Sequence, residues 1–154
     1  MPQRSAGVLL YRCKGRGIEV LLVHPGGPFW ARKDDGAWSI PKGLVDDGED
    51  PLDAAKREFR EETGGSPDGE AIGLEPLRQP SGKIVHAWAM RGEFEPATLT
   101  SNTFSMEYPP GSGRQREFPE VDRAGWFPMD EAGRKILKGQ APLLRELLRK
   151  LGAA

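Results

Sequence analysis

The chain has 154 residues, enough for one hydrophobic core, and 37% of them are hydrophobic. Its 22 basic and 23 acidic residues leave a net charge of −1, which provides no general attraction to nucleic-acid polymers or membrane surfaces. The longest apolar runs are too short to cross a bilayer, and MPQRSAGVLLYR lacks the long apolar segment expected of a signal peptide. These features predict a single domain over residues 1–154, located in the cytoplasm, with no membrane or nucleic-acid polymer as partner. They leave the oligomeric state open.

The first third of the chain predicts a β-hairpin followed by a long loop. Apolar, β-rich runs at 6–12 and 18–24 flank the polar turn CKGRG. The segment PGGPFWARKDDG then forms a loop of about a dozen residues, a length usual for functional loops. AWSIPKG predicts a short strand after it. Cys13 lies in the hairpin, and neither His24 nor His86 is placed to activate it, so we expect no catalytic thiol.

A helix is predicted over residues 51–63. Asp50 is a good N-cap, Pro51 suits the first helical position, and Asp53 favours the positive end of the helix dipole. Gly64 can end the helix. These start and stop signals fix both helix ends.

The second half predicts strands at 71–78 and 83–91, a third at TFSMEY, a polar loop at 109–123 and a short strand at AGWFP. A helix is expected to begin behind Asp130 in DEAGRKIL. The last segment, APLLRELLRKLG, predicts a helix with a leucine stripe that favours core packing over a partner surface. The stripe consists of Leu143, Leu144, Leu147, Leu148 and Leu151. Strands interleaved with helices predict an α/β fold with a mixed sheet between helical layers.

Three glutamates, Glu58, Glu61 and Glu62, fall within about 100° of arc on the predicted helix. Hard divalent cations bind several oxygen ligands, and Mg²⁺ accepts a few carboxylates together with water and substrate phosphates. The alternative is a solvated face, because KREFREE alone is ordinary surface sequence. Gly43 and Gly48 bracket a tight loop that leads to Glu49, and this context favours the metal site.

The segment from residue 43 to 65 resembles the signature of the Nudix hydrolases: glycine, five residues, glutamate, seven residues, then Arg-Glu-apolar-x-Glu-Glu-x-Gly-apolar. The matching positions are Gly43, Glu49, Arg57, Glu58, Phe59, Glu61, Glu62 and Gly64. So many fixed positions match by chance on the order of once in a million or less. Gly65 departs from the pattern, since the family has an aliphatic residue at this position.

This resemblance implies an α/β/α sandwich with a mixed sheet, hydrolysing a nucleoside diphosphate linked to another moiety with Mg²⁺ or Mn²⁺. It implies that Glu58, Glu61 and Glu62 bind metal and that either Glu58 or Glu61 is the base. Arg57 belongs to the implied catalytic set, with Gly43, Glu49 and Gly64 supporting the motif. A further metal ligand is expected from a later loop, with Glu120 as first candidate and Glu117 as second.

The ending W-x-x-P-K-G of the preceding segment resembles the dinucleoside polyphosphate hydrolase-like branch of that family. It implies that Lys42 binds phosphate. Aromatic side chains at Phe29, Trp30 and Trp38 are candidates for stacking on a nucleobase, and Arg32 or Lys33 for binding outer phosphates. Trp38 could equally pack in the core. His24 is expected to be structural, and the side of the sheet that His86 faces is left open. Arg114 and Arg116 are either polyphosphate contacts or, as we favour, solvated charges.

Three functions therefore stand open. The first is a pyrophosphohydrolase acting on a nucleotide such as a dinucleoside polyphosphate. The second is the same class of enzyme acting on oxidised nucleoside triphosphates or ADP-ribose. The third is a Nudix-fold module that binds a nucleotide or protein without turnover, which the complete glutamate set disfavours.

Overall fold

The computed structural model describes residues 3–152. Its strands are β1 (Arg4–Lys14), β2 (Gly17–Pro25), β3 (Lys42–Leu44), β4 (Ala71–Gly73), β5 (Leu77–Arg78), β6 (Ile84–Arg91), β7 (Thr103–Glu107), β8 (Gln115–Pro119) and β9 (Val121–Pro128). The α-helices are α1 (Pro51–Thr63), α2 (Met129–Lys135) and α3 (Ala141–Lys150). Single 3₁₀ turns occur at Pro96–Thr98 and Lys138–Gln140. No helix in the described part of the chain is long and apolar enough to cross a membrane.

The main sheet is mixed. Its strand order is β4-β6-β1-β2-β9, with β3 also pairing with β1 and β5 with β6. The β1 and β6 strands run parallel, whereas the other neighbours are antiparallel. At one end β1 and β2 separate, and the chain returns between them: Gly7 pairs with Lys42 and Val23 with Ser39. This insertion carries Lys42 and Gly43 against Glu62 and Glu58 of α1.

Two apolar cores lie on opposite faces of the sheet. Leu9 and Leu22 pack with α2 and α3 in one core, whereas Val8, Leu10 and Phe59 pack with α1 in the other. Because successive strand residues point to opposite faces, a strand buried on both faces is apolar throughout. The structure is therefore the expected α/β/α sandwich with a mixed sheet.

The helix prediction for residues 51–63 is confirmed. The Asp50 side chain accepts hydrogen bonds from the N–H groups of Leu52 and Asp53. Gly64 adopts a left-handed conformation with φ 84° and donates its N–H to the carbonyl of Arg60. The leucine stripe also packs in the core as expected, with Leu143, Leu144 and Leu147 buried.

Three boundaries were wrong. The strand predicted at 71–78 is two short strands, because Pro76 has no N–H and the N–H of Glu75 is turned to Glu146 Oε1 at 2.8 Å. The strand predicted in AWSIPKG is reduced to β3 and isolated bridges at Trp38 and Ser39. The helix expected behind Asp130 begins one residue before it, at Met129.

The predicted polar loop at 109–123 was also wrong, because it contains β8 and the start of β9. The β8 strand pairs with β7 in a separate two-stranded sheet. Its residues are exposed apart from Phe118, so they lack the apolar alternation by which a strand is predicted. Backbone hydrogen bonds tie the base of this hairpin to α1: Asn102 N–H donates to the carbonyl of Glu61, and Glu120 N–H to that of Asn102, both at 2.8 Å.

Candidate active site

Contact between β3 and α1 depends on the missing side chain at Gly43. A Cβ atom there would overlap the carboxylate of Glu58. The φ angle of Gly43 is not among the positive ones, so the position requires space rather than a left-handed backbone. Next to it, the backbone N–H of Lys42 donates to Glu62 Oε1 at 3.3 Å. The strand thereby lies directly against two of the three glutamates.

Arg57 joins the loop before α1 to the helix. Its Nε and Nη2 donate to the two carboxylate oxygens of Glu49 at 2.8 and 3.0 Å, and Nη2 also donates to the carbonyl of Leu44 at 3.0 Å. Its Nη1 donates to Glu58 Oε1 at 2.9 Å and to Glu61 Oε2 at 3.1 Å. The hydrogen bonds from Arg57 lower the pKa of Glu49 to about 2. This fork geometry requires arginine, because a lysine ammonium lacks the planar pair of N–H donors that matches the two oxygens of one carboxylate.

Glu58, Glu61, Glu62 and Glu120 come close together, and burial and neighbouring carboxylate charges raise the pKa values of Glu58, Glu62 and Glu120. Burial, followed by the charges of Glu58 and Glu120, raises the pKa of Glu62 to about 8. Burial, with Glu61 and Glu120 also contributing, raises the pKa of Glu58, which hydrogen bonds from Arg57 oppose. Burial and the charge of Glu61 raise the pKa of Glu120. The chain thus concentrates more negative charge here than it neutralises.

Within residues 3–152, no three acidic or histidine side chains already stand in metal-ligating positions. Glu58 and Glu61 instead accept hydrogen bonds from Arg57 Nη1, and Glu62 accepts one from the N–H of Lys42. The donor set still fits a hard divalent cation, since it consists of carboxylate oxygens that repel one another. Glu58, Glu61, Glu62 and Glu120 are the residues able to hold it.

Lys42 faces a cleft of about 220 Å³ that it shares with Glu62 and Glu120. Burial, followed by the charge of Lys83, lowers the pKa of Lys42, and Glu62 and Glu58 oppose that shift. Trp30 and Pro25 line the same cleft. The structure therefore brings together the predicted phosphate ligand, two predicted metal ligands and one of the predicted aromatic residues.

The other residues predicted in the long loop lie on the surface. Phe29 is 59% exposed and Trp30 37% exposed. The Lys33 ammonium stands 5.2 Å from the centre of the Trp30 ring, and Arg32 is exposed. Trp30 lines the cleft of Lys42, whereas Phe29, Arg32 and Lys33 are exposed on the same loop outside its lining.

Trp38 lies apart from these exposed side chains. It is 6% exposed and belongs to the core on the α2 and α3 face, with its ring centre 5.0 Å from that of Phe127. Its Nε1 donates to Asp34 Oδ1 at 2.8 Å. A ring enclosed in this way cannot stack on a nucleobase, so the core alternative describes Trp38 and the stacking candidate is withdrawn.

The two histidines have structural surroundings. His24 is fully buried, and its Nδ1 and Nε2 lie 2.8 Å from Asp122 Oδ1 and 2.6 Å from the carbonyl oxygen of Lys33. This ring ties the loop to β9, as expected of a structural residue. His86 pairs in register with Ala6 of β1, so it faces α1, and it lines neither cleft described in this section.

The remaining candidates are peripheral. Glu117 accepts a hydrogen bond from Thr103 Oγ1 at 2.8 Å on the β7–β8 hairpin. Arg114 and Arg116 are exposed, and the guanidinium of Arg116 lies 5.8 Å from the centre of the Phe118 ring. Cys13 is exposed in the first hairpin. None of them lines the cleft of Lys42.

A second cleft, of about 400 Å³, adjoins the first and contains Phe104 and Met106 of β7. The sequence predicts a strand at these two residues and no site that includes them. Their alternation with polar residues in TFSME indicates one apolar face. It does not indicate what that face contacts.

Comparison with known proteins agrees with this architecture. A family model described as NUDIX domain matches residues 1–151. An 8-oxo-(d)GTP phosphatase of Mycolicibacterium smegmatis is 32% identical over 158 residues, covering 96% of this chain and 40% of that protein. An RNA pyrophosphohydrolase of Rhizobium meliloti is 33% identical over 140 residues, covering 74% of this chain and 78% of that protein. The chain belongs to the NUDIX family.

The fold of the chain is also similar to folds seen in solved structures. An Ap4A hydrolase of C. elegans, in a binary complex, has a TM-score of 0.66 and 24% identity, covering 96% of this chain and 98% of that one. At that identity the likeness concerns the fold alone. The chain spans about two fifths of the length of the M. smegmatis relative.

Proposed function

We propose that the protein is a divalent-metal-dependent pyrophosphohydrolase that cleaves a nucleoside diphosphate linked to another moiety. The observation that carries this proposal is the convergence of Glu58, Glu61, Glu62 and Glu120 near the cleft of Lys42, where burial and neighbouring carboxylate charges raise the pKa values of Glu58, Glu62 and Glu120. Excess carboxylate charge at a cleft that also contains a lysine suits a cation and a phosphate together.

In this proposal the chain's residues position charge and a proton acceptor. Lys42 binds a phosphate oxygen in the cleft as a point charge. Arg57 keeps Glu58 and Glu61 oriented and holds the Glu49 loop against the helix. Mg²⁺ or Mn²⁺, when bound, neutralises the diphosphate and makes water a stronger nucleophile. A glutamate of the set, Glu58 or Glu61, accepts the proton.

The substrate proposed first is a dinucleoside polyphosphate. Trp30, which lines the cleft, and the exposed Phe29, Arg32 and Lys33 of the same loop support it, because this loop offers aromatic and cationic groups to a larger ligand. Oxidised nucleoside triphosphates and ADP-ribose are the alternatives within the same class, and the first has support from a phosphatase relative named for 8-oxo-(d)GTP. A single domain over residues 1–154 and a cytoplasmic location stay predictions.

The test is product analysis with Mg²⁺ on a panel of diphosphates. The panel contains diadenosine tetraphosphate, ADP-ribose, normal and oxidised nucleoside triphosphates, an inositol pyrophosphate and an RNA with a 5′ triphosphate. A preference for one member defines the substrate class. No cleavage of any member by folded protein that binds metal would favour the binding-module alternative.

Variants separate the proposed roles. Glu61→Gln and Glu62→Gln should each lower kcat by about 100-fold or more, because they remove charge from the proposed metal ligands. Lys42→Ala should weaken the binding of substrates, and most of all those with longer phosphate chains. Glu117→Gln is the matched control, since Glu117 lies on the hairpin and bonds Thr103. Equal rates for all four variants would contradict the assignment.

A further inference from the structure

The second cleft lies between the long loop and the β7–β8 hairpin. Its loop side consists of Pro25, Gly26, Gly27, Pro28, Phe29 and Trp30. Phe104 and Met106 line its hairpin side, and Glu120 is the one charged residue of the lining. The space is therefore a slot with two apolar walls.

The two cores do not account for the apolar face of β7. Phe104 and Met106 are half-buried, while Thr103, Ser105 and Glu107, which alternate with them along the strand, are exposed. Among the described residues, neither core contains a residue of β7 or β8. A two-stranded hairpin with an apolar face needs something to cover that face. Here the face lines the slot.

Aromatic contacts hold the two walls in place. Phe104 lies 6.0 Å from Phe118 between ring centres, Tyr108 lies 6.0 Å from Phe118, and Phe29 lies 6.4 Å from Tyr108. At Gly27 the walls meet, since a Cβ there would stand 3.0 Å from Phe104 Cζ. The two walls therefore approach each other closely at Gly27.

The slot is continuous with the cleft of Lys42. Pro25, Trp30 and Glu120 line both spaces. A ligand with its phosphates beside Lys42 and Glu62 therefore reaches the slot with the group attached to them. A flat, uncharged, aromatic group fits two apolar walls that end at one carboxylate. The face of such a ring stacks favourably on aromatic and thioether side chains.

We propose that Phe104 and Met106 are specificity-determining residues that form the wall opposite Trp30 and bind the nucleobase of the substrate. This inference rests on the proposed function, because it assigns the base to one side of the proposed diphosphate site. It makes the β7–β8 hairpin the part of the chain that distinguishes nucleotides from diphosphates without a base.

Binding without turnover tests the slot directly. Calorimetry on the full chain compares AMP and GMP with ribose 5-phosphate, which lacks the base. At least one nucleotide should bind about tenfold more tightly than ribose 5-phosphate. Met106→Ala and Phe104→Leu should each weaken nucleotide binding about fivefold or more and leave ribose 5-phosphate binding unchanged.

Ser105→Ala is the matched control, because Ser105 lies on the same strand and is exposed. Met106→Gln repeats the test with a side chain of similar length if the smaller residue unfolds the hairpin. Nucleotides that bind no more tightly than ribose 5-phosphate would overturn the proposal. Variants that weaken both kinds of ligand equally would overturn it too.

The two proposals fail in different ways. Cleavage of diphosphates with no preference for a base would overturn the slot and leave the hydrolase standing. Base-selective binding that depends on Met106, without any cleavage, would support the slot and count against the hydrolase.

Discussion

At Gly43 the backbone of β3 passes so close to α1 that an added methyl group would occupy the place of the Glu58 carboxylate. Gly43→Ala should therefore displace the Glu58 carboxylate and lower Mn²⁺ affinity about tenfold or more, because Glu58 is a proposed metal ligand. Calorimetric titration with Mn²⁺ measures this. Gly133→Ala is the control, since a Cβ on Gly133 meets nothing within 4 Å. If Gly43→Ala bound Mn²⁺ with unchanged affinity, Glu58 would not be a metal ligand.

Glu62 should make the metal-free protein less stable as the pH rises. Its pKa is about 8 in the folded chain against an ordinary value of 4.5. Between these values the unfolded chain has lost a proton that the folded chain retains, so the free energy of unfolding falls by at most about 1.4 kcal/mol per pH unit. Glu62→Gln removes this dependence.

Urea unfolding in EDTA at pH 5 and pH 8 measures that effect. The stability of Glu62→Gln relative to the wild type should increase from pH 5 to pH 8. Glu117→Gln, which changes a carboxylate on the exposed hairpin, should show no such increase. If the free energy of unfolding of Glu62→Gln differed from that of the wild type by the same amount at both pH values, the Glu62 carboxylate would be ionised normally in the folded protein.

The signature showed which glutamates to consider but not how they are held. Residue spacing placed Glu58, Glu61 and Glu62 on one side of α1, as the structure has them, whereas the hydrogen bonds of Arg57 to three carboxylates depend on the folded loop. Trp38 could not be assigned from sequence, because both core and binding residues are aromatic. Its enclosure by the core decides the matter.

At the scale of elements, His24 connects the long loop to β9. Replacing it with alanine leaves a cavity and removes the contacts to Asp122 and the Lys33 carbonyl, at a cost of roughly 2–4 kcal/mol. The loop should then open, and trypsin should cleave faster after Arg32 and Lys33. Mass spectrometry of timed digests measures the rate at each bond.

His86→Ala is the control for that experiment, because His86 lies on β6 and faces α1. It should leave cleavage after Arg32 and Lys33 unchanged. Equal loop cleavage in the wild type and His24→Ala would mean that other contacts hold the loop.

Elements with strong local signals were predictable, and those defined by partners were not. Asp50, Pro51 and Gly64 fixed the ends of α1 because capping is local. The β8 strand was missed because its pairing with β7 occurs outside the main sheet and leaves its residues exposed. Phe104 and Met106 were recognised as strand residues, but their place beside the loop follows from the packing of Gly27.

Across the whole molecule, the site is assembled from segments far apart in sequence, and the core on the α2 and α3 face includes residues that line neither cleft. Leu147 is fully buried on the α2 and α3 face and lines neither cleft. Leu147→Ala should lower the free energy of unfolding by about 2–5 kcal/mol. In conditions where the variant remains folded, its Mn²⁺ affinity should match the wild type. A parallel loss of affinity and stability would show that the two cores are coupled.

The central claim is that the glutamates near Arg57 and Lys42 gather around a divalent cation. Electron paramagnetic resonance of free Mn²⁺ during titration tests it most directly, since it requires no substrate. We predict at least one Mn²⁺ bound per chain. Glu61→Gln and Glu62→Gln should each lower the Mn²⁺ affinity about tenfold or more, and Glu117→Gln should leave it unchanged. Equal affinity in all four proteins, or no binding by folded wild type, would contradict the claim.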